Sequence, residues 1–485
     1  MDIDVKDVIG VCGAGVMGAG IAQVAAASGH PVVVFDKAGA ALENGRAAIA
    51  GALARQVDRG RIAHEQAEAV LSRILWTDDL GALSGSALVV EAIVEQPEAK
   101  AALFAEVGSV VGSQCILASN TSSLSIEEMA RLVTVPSQFA GLHFFNPVPA
   151  MKLVEVVAAT CTAPDVTNAL VDLMRRWGKR PARVRDVPGF IVNRVARPYY
   201  AEAFVALGDG MAAADIDTLL EQAGGFRMGP LELTDMIGQD INYSAASGVY
   251  DSYDGKSRFR PQATQRALVE AGKLGRKSGE GVYSYPAGRG DPQVVASSKS
   301  MGAIAISTRP CAMALFAEAL IESGVPVSID DNLPEGILSA GGLRMAMGDG
   351  RPLRSRGDGV AVLIDHARDI VKARMIGATT QDPEALGTAA NLFATLGKAV
   401  IAVPDRPGQL VLRTLAQLAN AAADAVADDV AKATDIDIAM QYGANHPEGP
   451  LAWSKRFGAA ELADVLGNIA SASGDEMYRP NRFEG

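Results

Sequence analysis

Three short stretches hold the residue types best suited to chemistry: SNTSS at 119–123, GLHFFNP at 141–147 and KLVEVV at 152–157. His143 lies at the end of one apolar run, and Glu155 is a lone acid inside another. A buried imidazole and a buried carboxylate are each costly unless they satisfy one another. Each therefore predicts its partner. An imidazole steadied by a carboxylate keeps one tautomer and suits a general base near neutral pH. On pattern alone a plainer account stays open, with His143 a satisfied core histidine and Glu155 a charge at a strand edge.

A second constellation is DVIGVCGAGVMG at 7–18, whose glycines are spaced Gly13-x-Gly15-x-x-Gly18. In a chain with 50 glycines such spacing can arise by chance, so the context must decide. The strand-like run VIGVC precedes the turn, the helical pattern VMGAGIAQVAAASG follows it, and the next apolar run, PVVVFD, ends in Asp36. Together these make a dinucleotide fingerprint. Gly13 permits the tight turn, Gly15 lets backbone approach a pyrophosphate, and Gly18 allows close packing of helix on strand, while the helix start offers N–H groups to phosphate. Asp36 would accept from ribose hydroxyls and repel a 2′-phosphate, which favours NAD over NADP; the neighbouring Lys37 offsets part of that repulsion.

The elements that must position these groups follow from the same alternation. From residue 8 to about 186, the runs VIGVC, PVVVFD, ALVVEAIVE, CILASN, FAGLHF, KLVEVV and ARVRD alternate with amphipathic stretches. That predicts a largely parallel, doubly wound sheet of the Rossmann type. Residues 37–75 read as helical and project as a hairpin. After DVPG at 186–189 long helical patterns run to GEGVYSY, and YPAGRGDPQ reads as a linker.

The remainder contains a repeat. GKRPARVRDVPGFIVNR at 178–194 matches GKAVIAVPDRPGQLVLR at 397–413, displaced by 219 residues. ADIDTLLEQAGGFRMGPLE at 214–232 matches TDIDIAMQYGANHPEGPLA at 434–452, displaced by 220. The helical domain is thus duplicated. Between the copies, GAIAIST, VPVSIDD and GVAVLIDH form a small α/β segment without a glycine turn of its own. The expected division is 1–186 for dinucleotide binding, 187–290 helical, 291–404 linker and α/β segment, and 405–485 a second, degenerate helical copy.

At 485 residues the chain exceeds a single ordinary core. It is 49% hydrophobic and 21% charged, against long disorder, and its formal net charge of -12 disfavours nucleic acid and anionic membrane as partners. No window reaches the ~18 apolar residues of a membrane span, and MDIDVKDV lacks the basic and apolar parts of a secretory signal. A cytoplasmic protein is expected. Cys12, Cys115, Cys161 and Cys311 show no C-x-x-C pair, so neither a disulfide framework nor a metal site is expected.

The motifs GAGVMG, EAIVEQPEAK, ASNTSSL, GLHFFNPVPAMKLVEVV, DVPGFIVNR and DIDTLL, together with Asp36, resemble the L-3-hydroxyacyl-CoA dehydrogenases, NAD-linked enzymes of β-oxidation. The resemblance runs from residue 5 to about 286. It implies that His143 is the catalytic base, Glu155 its orienting acid, Ser122 the active-site serine and Asn193 a substrate contact. It further implies cofactor contacts at Gly13, Gly15, Val16, Met17, Gly18 and Asp36, and nicotinamide-side contacts at Glu95, Lys100 and Asn146, with Lys277 matched less securely. In the helical hairpin the family's CoA-binding Ser and Lys are replaced by Ala52 and Arg59. Arg55, Arg59 and Arg61 could supply a cationic surface for CoA, or simply a solvated helix face.

The implied reaction is reversible NAD-dependent oxidation of an L-3-hydroxyacyl-CoA, in fatty-acid or phenylacetate-type breakdown, with an acyl-CoA thioester as the small-molecule partner. The length resembles that of longer bacterial forms acting on 3-hydroxyadipyl or 3-hydroxybutyryl thioesters. Two rivals remain: a non-catalytic NAD-binding relative, and a dehydrogenase of free 3-hydroxy acids. The second helical copy has Leu412 at the place of Asn193 and no HFFNP motif, so its expected role is packing, as an internal pseudo-twofold pair with 187–290; a homo-oligomer is also possible.

Overall fold

The computed structural model describes residues 2–297, 301–307 and 313–483. Cys311 falls outside them; Cys12, Cys115 and Cys161 are free thiols. The chain forms two compact units, one of Met1–Val192 with Asp428–Ala444, the other of Asn193–Ala427 with Asn445–Gly485. These differ from the expected division in placing 428–444 with the amino-terminal part.

In the first unit the β-branched apolar runs become strands buried on both faces, as a covered parallel sheet requires. The order along the chain is β1 (Val8–Cys12), α1 (Val16–Ala27), β2 (Val32–Phe35), α2 (Gly39–Asp58), α3 (His64–Ser72), β3 (Ile74–Thr77), β4 (Ser86–Glu91), α4 (Pro97–Val110), β5 (Ile116–Ser119), α5 (Ile126–Ala130), β6 (Phe139–Phe144), β7 (Leu153–Ala158), α6 (Pro164–Arg176) and β8 (Arg180–Arg185). The sheet order is β3-β2-β1-β4-β5-β6-β7-β8. Every pairing is parallel except β6 with β7. β1 and β4 are central neighbours, so the chain reverses direction of winding there and opens a crevice at the carboxyl ends of the strands.

One expectation needs correction. Helical sequence was expected to run to residue 75, yet Ile74–Thr77 is an edge strand on β2. ILWT is apolar, aromatic and β-branched, but the helical run VLSR adjoining it hides so short a strand. α2 and α3 do form a helical pair.

The opposite edge, β8, is covered by α16 (Ala433–Tyr442), introduced here ahead of its neighbours because it belongs to this unit. The Arg185 N–H donates to the Val430 carbonyl at 2.9 Å and the Arg183 N–H to Asp435 at 3.1 Å, which caps an edge that would otherwise be open.

The second unit takes up the chain in α7 (Val192–Val195) and continues through α8 (Arg197–Gly208), α9 (Ala213–Gln222), α10 (Pro230–Ile237), α11 (Gln239–Ser252) and α12 (Ala263–Glu270). An α/β layer follows: β9 (Ile304–Ile306), α13 (Ala314–Glu322), β10 (Val327–Ile329), β11 (Ile337–Ala340), β12 (Leu343–Met347), β13 (Val362–Ile364), β14 (Met375–Thr380), α14 (Pro383–Ala394) and β15 (Ala399–Ala402). The chain then forms α15 (Val411–Ala427), α17 (Pro450–Phe457) and α18 (Ala459–Ser473). α7 and α8 exchange buried ion pairs with α15. Arg194 donates to Asp424 at 2.8 Å and to the Tyr253 hydroxyl, while Arg413, at the repeat-equivalent place, donates to Glu202 at 2.6 Å and to the Tyr478 hydroxyl.

The α/β layer is richer than three strands: among the described residues it has seven, in the order β10-β9-β11-β12-β13-β14-β15. Its last three reproduce the end of the first sheet, with β13 antiparallel to β14 and β14 parallel to β15 across α14. The details repeat as well. Lys179 donates to the carbonyls of Val148 and Met151, and Lys398 to those of Val371 and Ala373. Phe190 and Gln409 both adopt positive φ, 47° and 54°. The duplication therefore reaches back beyond the helices into part of a sheet. Among the described residues no helix is long and apolar enough to cross a membrane.

Candidate active site

The glycine turn has the geometry a pyrophosphate needs. Gly13 sits at φ 104°, and a Cβ there would lie 2.5 Å from the Ala92 carbonyl oxygen; a Cβ on Gly18 would lie 1.9 Å from the Gly13 oxygen. Gly15 is different, with nothing within 4 Å of where its Cβ would stand. That is open space above the start of α1, where no side chain caps the helix and no acid occupies the first turn. The N–H groups there remain available to an anion. Val16 is exposed and Met17 half-buried beside them. Asp36, just past β2, accepts from the N–H of Ala14 at 2.8 Å and of Ala38 at 2.9 Å, so its carboxylate is fixed at the rim of the turn. Lys37 turns to Glu106 at 3.0 Å.

Beside the turn, β4 ends in Glu91, a buried acid that sequence reasoning passed over inside ALVVE. Glu91 accepts from Lys100 at 2.9 and 3.0 Å, from the Ser119 hydroxyl at 2.6 Å and from the Ile93 N–H at 2.8 Å. Lys100 is 1% exposed and also reaches Glu95 at 2.9 Å. Its ammonium is thus committed to two carboxylates, and it acts on the crevice through Glu95. Glu95 in turn accepts from the Thr121 hydroxyl, the Ser122 N–H at 3.1 Å and the Ser123 hydroxyl at 3.0 Å. Burial alone would raise the pKa of Glu95, but Lys100 and the two hydroxyls outweigh it and hold the carboxyl below its ordinary value. The loop at 120–123 is held from its other side by Asn120, which accepts from the Phe144 N–H at 2.8 Å. This leaves Ser122 exposed next to the strand that carries His143.

The antiparallel register of β6 and β7 sets His143 directly opposite Glu155. The Nδ1 of His143 lies 2.6 Å from Glu155 Oε2. Glu155 is fully buried, and its other oxygen accepts from the N–H groups of Ile191 and Val192 at 2.9 and 3.0 Å. Both carboxylate oxygens are therefore spoken for, one by the ring and one by the opening of PGFIVNR. With Nδ1–H donated to Glu155, Nε2 carries the free lone pair. Phe145 and Phe190 flank the imidazole at 4.4 and 5.8 Å between ring centroids. Asn146 is exposed just beyond the strand end.

The structure brings the glycine turn, Asp36, Glu95, Ser122, His143, Asn146 and Glu155 into one unit. Arg55, Arg59 and Arg61 lie exposed at the far end of α2 and just after it. Asn193 and Lys277 belong to the second unit, Asn193 half-buried in α7 and Lys277 paired with Asp240 at 2.6 Å.

The second copy cannot repeat this chemistry. Asp365 faces Gly377 where His143 faces Glu155, and its carboxylate accepts from the N–H groups of Leu410, Val411 and Leu412. A single acid here anchors the helix start and leaves no imidazole.

Two family models match the chain: the 3-hydroxyacyl-CoA dehydrogenase NAD binding domain over residues 8–187, and the 3-hydroxyacyl-CoA dehydrogenase C-terminal domain over 189–285 and again over 408–484. The chain belongs to the 3-hydroxyacyl-CoA dehydrogenase family. It is the long form with a duplicated carboxyl-terminal domain. A 3-hydroxyadipyl-CoA dehydrogenase of Escherichia coli K12 is 40% identical over 97% of this chain and 95% of its own length. The pig mitochondrial hydroxyacyl-coenzyme A dehydrogenase is 42% identical over 57% of this chain and 90% of its own. A solved 3-hydroxybutyryl-CoA dehydrogenase of E. coli K12 superposes with TM-score 0.88 at 38% identity, covering 99% of this chain and 97% of its own. This dehydrogenase oxidises a 3-hydroxyacyl-CoA with NAD as cofactor, and the open space over Gly15 and the anchored Asp36 fit that cofactor.

Proposed function

We propose that His143, through Nε2, is the base that takes the proton of the 3-hydroxyl group, with Glu155 holding the ring in that tautomer and stabilising the imidazolium that forms. The observation that carries this reading is the 2.6 Å contact of His143 Nδ1 with a fully buried acid. Ser122 and Asn193 hold the substrate oxygen so that proton and hydride leave in the right geometry, a positioning effect worth several orders of magnitude in rate. The turn of Gly13, Gly15, Val16, Met17 and Gly18 binds the pyrophosphate, Asp36 the adenosine ribose, and Glu95, Asn146 and Lys277 the nicotinamide side, with Lys100 a positioning residue behind Glu95. NAD, when bound, supplies the hydride acceptor. Arg59, with Arg55 and Arg61, offers the CoA phosphates a cationic surface in place of the absent Ser and Lys.

The substrate in this reading is a short 3-hydroxyacyl thioester of fatty-acid or aromatic-acid breakdown, handled in the cytoplasm. Relatives that match nearly its whole length bear the names of an adipyl and a butyryl substrate. The second helical copy serves as a built-in partner for the first, and the reciprocal Arg194–Asp424 and Arg413–Glu202 pairs support that role. A panel of L-3-hydroxyacyl-CoA thioesters from four carbons upward, with the free acids as controls, tests the assignment by NADH formation. Turnover of the free acids at rates equal to the thioesters would contradict it.

A further inference from the structure

Among the described residues two acids of the first unit are fully buried, Glu91 and Glu155. Glu155 orients His143. Glu91, at the end of β4, has no such task, yet both its oxygens are engaged. One accepts from the Ile93 N–H at 2.8 Å and Lys100 at 2.9 Å, the other from the Ser119 hydroxyl at 2.6 Å and Lys100 at 3.0 Å. Burying a charge is costly, and apolar side chains of similar volume commonly hold a fold as well as a buried ion cluster does. Stability alone therefore does not account for Glu91.

Two chains of contacts lead from Glu91 to one loop. In the first, Lys100, only 1% exposed, passes from Glu91 to Glu95 at 2.9 Å. Glu95 accepts from the Thr121 hydroxyl, the Ser122 N–H at 3.1 Å and the Ser123 hydroxyl at 3.0 Å. In the second, the Ser119 hydroxyl donates to Glu91 and accepts from the Thr121 N–H at 3.2 Å. Both chains end at Thr121, itself buried, whose hydroxyl oxygen also accepts from the N–H groups of Ser123 at 3.2 Å and Leu124 at 2.9 Å. Ser122 stands exposed among these anchors. The loop that carries it is thus fixed from beneath by a charge it does not touch.

The vestigial sheet lacks this arrangement. With Asp365 at the place of His143, the pairing of β12 with β13 puts Ala346 where β5 has Ser119. Ala346 is buried but has no hydroxyl to offer. The polar root of the loop is confined to the copy that carries His143.

We infer that Glu91 is a positioning residue of the oxidation: through Lys100 its buried charge holds Glu95 and the 121–123 loop where the bound cofactor and substrate require them. The inference rests on the reading of Ser122 and Glu95 as site contacts.

Glu91→Gln isolates the charge. The amide oxygen stays with the Ile93 N–H, which turns the NH₂ towards Ser119 and the Lys100 ammonium, so the acceptor at 3.0 Å from Lys100 becomes a donor. Lys100 is repelled there, and Glu95 loses its fixed support. With full-length protein, NAD and L-3-hydroxybutyryl-CoA, kcat should fall by at least about tenfold, towards the ~100-fold that a misplacement near 1 Å can cost. The Kd for NAD should move by less than about threefold, because the glycine turn and Asp36 are untouched. A merely structural residue would lower the denaturant midpoint and spare kcat of the folded enzyme. The route is read from Lys100→Met and the double variant. If Glu91 acts through Lys100, kcat of the double variant lies within about threefold of Lys100→Met alone and not at the product of the two losses. A folded Glu91→Gln enzyme that loses less than about tenfold in kcat overturns the inference, and so do losses that multiply in the double variant. Should Lys100→Met fail to fold, Glu91→Gln decides alone. Should Glu91→Gln fail to fold, the double variant decides, since it leaves no fully buried charge unpaired, and a kcat within about tenfold of the wild type overturns the inference. Ser122→Ala separates the two readings. Full activity in that variant beside a slow Glu91→Gln contradicts the role of the serine and not the inference, while a slow Ser122→Ala beside an unimpaired Glu91→Gln does the reverse.

Discussion

Replacing Glu155 by Gln preserves the shape of the side chain and reverses the polarity of one end. The amide oxygen is claimed by the Ile191 and Val192 N–H groups at 2.9 and 3.0 Å, which leaves the NH₂ facing His143 Nδ1 at the 2.6 Å position. Nδ1 must then accept, so the ring proton moves to Nε2 and the base loses its lone pair. The ring stays in place, but its tautomer is wrong. We expect kcat to fall about 1000-fold, within the roughly 100- to 10,000-fold span of a positioned base, or about 4 kcal/mol of barrier. NAD affinity should change by less than about twofold, because the glycine turn joins β1 to α1 and Asp36 follows β2, away from β6 and β7. Stability should fall by about 1–3 kcal/mol for the weakened charged hydrogen bonds. NADH absorbance gives the rate, quenching of protein fluorescence the cofactor affinity, and denaturant melts the stability. A folded Glu155→Gln enzyme that keeps more than about a tenth of the wild-type kcat would refute the tautomer argument.

Asp36→Ala removes the acceptor for the Ala14 and Ala38 N–H groups as well as the ribose contact, so NAD should bind about 10- to 100-fold more weakly and discrimination against NADP should narrow; unchanged selectivity would place cofactor choice elsewhere. Glu95, whose pKa is held below its ordinary 4.5, lends stability that is fully present above that value and is lost as pH falls through the lowered one. The stability gap between wild type and Glu95→Gln should accordingly be open at neutral pH and close in acid, and a gap of the same size in both conditions counts against the network. Residues 1–290 alone lack α16 over the β8 edge and α15 against α8; the fragment should dimerise or aggregate by light scattering, and a soluble, fully active monomer would contradict the packing role of the second copy.

The readable part of the molecule was the part with strong local periodicity or tight steric demand. The glycine turn announced itself because Gly13 and Gly18 admit no side chain, and His143 with Glu155 because a polar group inside an apolar strand requires a partner. Glu91 escaped notice because an acid at a strand end is ordinary, and only the fold folds Lys100 back onto it. β3 was masked by adjoining helix pattern. The vestigial sheet in the second half carries its likeness to β6–β8 in pairing and backbone conformation rather than in side chains, since Asp365 and Gly377 replace the pair that would have marked it.

The central claim is that Nε2 of His143 takes the hydroxyl proton. The most direct measurement compares NADH formation from L-3-hydroxybutyryl-CoA by the wild type and by His143→Gln, with NAD affinity determined on the same samples. The account predicts a loss of about 100- to 10,000-fold in kcat with cofactor affinity unchanged. Turnover within about tenfold of the wild type, with NAD bound as tightly, would remove His143 from the role of base.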